Sequence, residues 1–126
     1  MTKLIMVDGG TLAHGSGSTI TGGAFVITST PNANVGVDTK GVYTTALTYT
    51  FSGGSAPGFV VGDVASVGPQ ALVATAQETN IDALAPMRED DTGVMACEGE
   101  LLAGGTGTVN GPVIVDDAGQ DNTECN

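Results

Sequence analysis

The chain has 126 residues, 20 of them glycine, and carries 14 acidic against 3 basic side chains for a net charge of −11. Three cations cannot hold a phosphate backbone by counterion release, which excludes a nucleic-acid partner and disfavours stable binding to an anionic membrane. Apolar residues make up 40 %, enough to build a core and too many for a disordered polyanion.

Strand signals run along the whole chain. Lys3–Val7 reads as an opening strand that stops at Asp8-Gly9-Gly10, and residues 1–19 continue into a Gly/Ser loop. This start, with one Lys and an early Asp8, does not read as a signal peptide. Phe25–Ser29 lies between Gly23 and Pro31, and Asn34–Asp38 alternates weakly. Val42–Ser52 carries the strongest pattern. Tyr43, Thr45, Leu47, Tyr49 and Phe51 share one face, which should be core; Val42, Thr44, Ala46, Thr48 and Thr50 share the other. Phe59–Val64, Ala71–Thr75, Asn80–Leu84, Thr92–Gly99 and Gly107–Asp116 complete the set. β-branched residues favour extended backbone, and glycine in a helix costs roughly 1 kcal/mol each. The expectation is an all-β fold, a small single domain of short strands, sandwich-like or, as the family resemblance given below implies, conical. The polar tail 121–126 should fray unless Cys125 is tied down.

A faint internal echo suggests pseudo-threefold symmetry. Asn34–Asp38 precedes Lys40-Gly41-Val42, and Asn80–Leu84 precedes Pro86-Met87. Val113–Val115, running into acids and Gly119, is the third candidate unit.

Catalytic signals are weak. The one histidine, His14, sits beside glycine and reads as a loop residue, and no serine stands in a nucleophile-elbow pattern. Arg88-Glu89-Asp90-Asp91 reads as a solvated turn, since few aromatics exist to wall a pocket around paired carboxylates. No enzyme activity and no cofactor are expected. Cys97 and Cys125 are open to three states: free thiols, a disulfide, or a metal site with His14. That last set offers only three ligands without pair spacing, so no metal is assigned.

Two tracts carry a family resemblance. Ser29-Thr30-Pro31-Asn32-Ala33-Asn34-Val35, followed by Asp38-Thr39-Lys40-Gly41-Val42-Tyr43, resembles PAAR-like spike-tip proteins of contractile injection systems and phage tails. So does Asn80 through Gly93, and Val113 through Gln120 looks like a late strand of the same group. The resemblance implies one copy of a conical β-domain capping a trimeric β-helical spike protein and helping to breach an envelope. It places the chain in a phage virion or extracellular injection particle assembled in the bacterial cytoplasm. Many relatives hold a metal with several histidines, which a single His14 cannot reproduce. A virion decoration protein has similar composition and is the alternative; a sugar-binding module would need exposed aromatics.

Charge is polarised along the chain. From Glu78 onward there are 11 acids and one base, whereas residues 1–77 hold three acids and two bases. A docking face is better built from the neutral part, and is assigned to Phe25, Val35, Val37, Val42, Thr44 and Thr48.

Overall fold

Frequent glycine and β-branched residues leave the chain only extended segments and turns to build with. A computed structural model describes residues 2–126, and among them there is no helix. The strands are β1 (Lys3–Leu4), β2 (Thr11–His14), β3 (Thr21–Ile27), β4 (Gly36–Val37), β5 (Lys40–Gly41), β6 (Leu47–Ser55), β7 (Ala65–Ser66), β8 (Gln70–Leu72), β9 (Thr92–Glu100), β10 (Thr106–Asp117) and β11 (Glu124–Cys125).

These pair antiparallel in four sheets, ordered β2-β10-β9-β7, β3-β6-β8, β1-β11 and β4-β5. The two larger sheets join where Gly54 and Val64 exchange backbone hydrogen bonds of 2.9 and 3.0 Å. The result is a curled wall running β2-β10-β9-β7-β6-β3. Its two free edges, β2 and β3, face one another.

Alternation fills the wall. Leu47, Tyr49 and Phe51 on β6, Met95 and Cys97 on β9, and Val113 and Val115 on β10 all point into one large core. A smaller cluster gathers Ile5, Val7, Val42, Ile81 and Cys125.

Several expected elements differ in extent. The strand expected over Val42–Ser52 begins at Leu47, because Ala46 takes a left-handed φ of 60° and breaks the ladder. Tyr43, Leu47, Tyr49 and Phe51 face the core as expected, but Val42 on the opposite side is also buried, in the smaller cluster. Asn80–Leu84 is a tight turn rather than a strand: Ile81 bridges Leu84 across Asp82 and Ala83, both at positive φ. The tail does not hang free. β11 pairs with β1, and Cys125 is buried without any disulfide.

Candidate functional site

Three short segments close a backbone ring. Their centres are Met6, Tyr43 and Met87. Met6 N–H donates to Met87 O (2.8 Å), Met87 N–H to Tyr43 O (2.8 Å), and Tyr43 N–H to Met6 O (3.0 Å). A second turn of bonds repeats the pattern two residues out: Asp8 to Gly41 O, Thr45 to Ala85 O, and Glu89 to Leu4 O, each 2.8–2.9 Å. Six hydrogen bonds therefore relate three segments by a pseudo-threefold axis. The central side chains enter the large core, while Ile5, Val7 and Val42 beside them enter the smaller cluster. The ring thus lies between the two clusters.

The local backbone repeats as well. Three residues past each centre stand Gly9, Ala46 and Asp90, at φ of 95°, 60° and 65°. This turn sends the chain into β2, β6 and β9. Before the second and third centres, hairpins turn on Asp38-Thr39 and Asp82-Ala83, with φ of 51° and 67°, and 51° and 65°. Both central residues are left-handed, as a two-residue hairpin demands, and Asp tolerates this better than most. In these hairpins Val37 pairs with Lys40 and Ile81 with Leu84.

The first segment has no such hairpin of its own. There Lys3 pairs with Cys125 and Leu4 with Glu124, so the last strand supplies the missing half. Val37, Ile81 and Cys125 stand in equivalent places at equal spacing along the chain, and all three pack on the smaller cluster. Asn32 Oδ1 accepts the N–H groups of Asn34 and Val35 at 2.8 Å, and Gln120 Oε1 does the same for Asn122 and Thr123 at 2.7 and 2.8 Å. The echo expected from sequence is therefore present in its first two units. Its third is not Val113–Val115, which is a core strand; it runs across the two ends of the chain.

In the third segment the ring carries charge. Arg88 and Asp91, expected on a solvated turn, are 6 % and 2 % exposed. Asp91 Oδ2 accepts Arg88 N–H at 2.8 Å, and Thr75 Oγ1 donates to its other oxygen. The Arg88 guanidinium donates to Cys125 O and to Thr75 Oγ1, each at 3.0 Å. The buried arginine thus ties the third segment to the last strand. Nothing in the spacing of Arg88 and Asp91 distinguished them from the half-buried Glu89 and the exposed Asp90.

The residues singled out by sequence do not form one face. Val35, 39 % exposed, and half-buried Val37 lie at the β4–β5 hairpin. Val42 is 1 % exposed and has no surface to offer a partner, which corrects its assignment to a docking face. Thr44 is half-buried and bridges Pro86 in the ring. Thr48 is bound from both sides, by Thr28 Oγ1 at 2.9 Å and by Ser29 Oγ on its N–H at 2.6 Å. Phe25 is turned inward, its ring 5.1 Å from that of His14 and 4.8 Å from that of Phe51.

His14, Cys97 and Cys125, to which no metal is assigned, do not come together. His14 Nε2 is bonded to Gly22 O at 2.7 Å, with the ring edge-on against both Phe25 and Phe51, which also pack on each other. Cys97 lies in the large core and Cys125 in the smaller cluster, both as free thiols. The alternative of a Cys97–Cys125 disulfide is thereby corrected: the ring stands between their two clusters. Among the described residues, no group of three metal-ligating side chains forms. Burial pushes the Cys97 thiol up, which keeps it protonated and inert.

Between the free edges of β2 and β3 the wall is open. A cleft of about 490 Å³ runs there, lined by Asp8, Thr11 and Leu12 on one side, Phe25 and Ile27 on the other, and Tyr43 below. Tyr43 Oη donates to Asp8 at 3.3 Å, and burial, then the Asp8 charge, raises its pKa.

Comparison with protein-family models, curated proteins and solved structures returns no match for this chain.

Proposed function

We propose that this chain is the tip of a spike: a single copy seated on the end of a threefold-symmetric protein shaft of a phage tail or contractile injection system. The observation that carries the reading is the ring around Met6, Tyr43 and Met87. A trimeric shaft ends in three equivalent strands, and each leaves backbone groups that need partners. A cap made of one chain can meet them alike only if it repeats its own backbone three times. The hairpins at Asp38-Thr39 and Asp82-Ala83, with the Lys3–Cys125 pairing as the third, provide that repeat on one side of the ring.

In this reading the chain acts by shape and performs no chemistry on a substrate. Load passes through backbone ladders, and the curled wall leaves few free edges. Its partner is protein, without nucleic acid or stable membrane binding. The particle would be a virion or an extracellular injection machine assembled in the bacterial cytoplasm, where the tip aids envelope penetration.

Copy number in purified particles tests the reading. One copy per shaft, imaged at its end, is expected. Substituting Thr39→Trp and Ala83→Trp on the exposed hairpin turns should release it from the shaft while leaving the fold intact. A count matching the shell lattice of a virion head would overturn the reading in favour of a decoration protein.

A further inference from the structure

Threefold equivalence gives each repeat an outgoing strand and a returning strand. In the second repeat these pair directly, as Leu47–Leu72, Thr48–Ala71 and Tyr49–Gln70. In the third they pair along the whole of β9 and β10. In the first repeat the same two strands, β2 and β3, pair only outward, with β10 and β6. Among the described residues no backbone hydrogen bond joins them; His14 Nε2 bonds Gly22 O at the far end. There the His14 ring lies edge-on against both Phe25 and Phe51, so the contact between the two strands is made by side chains. Toward the ring they diverge into the cleft.

We propose that this cleft is a strand-addition site that takes one short extended segment of a partner polypeptide. Two facing edges offer unpaired backbone donors and acceptors, which is the requirement for adding a strand. Leu12, Phe25, Ile27 and Tyr43 contribute to the lining, but most of the exposed lining is polar, so the segment is held chiefly through its backbone. The mouth is acidic, with Asp8 lining it and Asp117 in register with Thr11, so a segment with a basic residue at that end is preferred. The same positions in the other two repeats are closed by strands of this chain, so an extended backbone is the occupant whose geometry matches. Filling the cleft would complete the wall, and does not depend on the chain sitting on a shaft.

The test uses the intact chain and a blocked heptapeptide alternating valine and threonine, with lysine at one end. Amide spectra recorded during titration should shift at residues 10–14 and 23–27, with a Kd below about 1 mM, and the amides of those edges should exchange more slowly. Thr11→Trp, which fills the cleft from an exposed position, should abolish the shifts while leaving the circular dichroism unchanged. The same peptide with methylated backbone nitrogens should bind at least about tenfold more weakly, because it cannot donate to an edge. Equal binding of the methylated peptide, shifts centred elsewhere, or no shifts would each overturn the proposal.

Discussion

Lys3 and Cys125, near opposite ends of the chain, pair in the same register as Val37 with Lys40 and Ile81 with Leu84 within it. A pairing that is local in two repeats is the longest-range contact of the fold in the third. Completion of the third repeat therefore depends on a two-residue strand with no disulfide to hold it.

Removing residues 121–126 should open the first hairpin alone. It takes away the Cys125 carbonyl bonded by Arg88 and the Thr123 carbonyl bonded by Ile5. A loss of about 2–4 kcal/mol in urea unfolding is expected, from several unmade buried hydrogen bonds. Conversely, a circular permutant opened between Asp38 and Thr39, with the present ends joined by a short glycine-containing turn, should refold with near-native stability. Failure of the permutant to fold would contradict the equivalence of the three hairpins.

Asp91→Ala should be among the most damaging substitutions of a charged residue. It leaves the Arg88 amide and Thr75 hydroxyl without their carboxylate, inside a buried network. A cost of roughly 3–5 kcal/mol is expected for one partner removed from such a set. Glu89→Ala, on the adjacent half-buried residue, should cost less than about 1 kcal/mol. Thermal or urea midpoints of the two variants compare them directly.

Ala46 and Asp90 adopt the left-handed conformation that Gly9 adopts at the equivalent place. A side chain there costs about 1–2 kcal/mol, part of which glycine returns as chain entropy on unfolding. Ala46→Gly should raise stability by about 0.5–1 kcal/mol. Gly23→Ala should do the reverse, since its φ is +75° and a Cβ would lie 2.5 Å from the Phe51 ring.

Alkaline pH should lower the stability of the protein. Burial pushes the Tyr49 phenol up to about 12, with Cys97 adding to the shift, and burial also raises Cys97 and Tyr43. Above pH ~10 the unfolded chain releases phenolic protons that the folded chain retains. The folded state then binds more protons than the unfolded one, so stability falls as pH rises, from about 9 through the Cys97 thiol and from about 10 to 12 through the phenols, and is fully present only below about 9. Tyr49 Oη is buried without a hydrogen-bond partner, so Tyr49→Phe should leave stability at pH 7 unchanged or raise it by up to about 1 kcal/mol. It should also shift the alkaline midpoint upward; urea unfolding across pH 7–12 reads both effects.

Both thiols should resist a colorimetric thiol reagent in the native state and react fully once denatured, without any reductant. Deleting the pairing of β1 with β11 should expose Cys125 and leave Cys97 protected. Simultaneous exposure of the two would mean that the clusters do not open separately.

The amino-acid sequence by itself determined the fold class and the polarity of its strongest strand. Period-2 alternation set Tyr43, Leu47, Tyr49 and Phe51 inward. It also carried two of the three repeats, because Asp38 and Asp82 occupy the same step of the same local turn. Only the tertiary structure decided the rest. The ring bonds join segments far apart in the chain, and no local period records which distant carbonyl an amide will meet. The third repeat escaped notice because it is split between the chain's ends. Arg88 and Asp91 look like any surface charges until the last strand covers them, and Val42 is buried only because the ring places a second cluster beneath it.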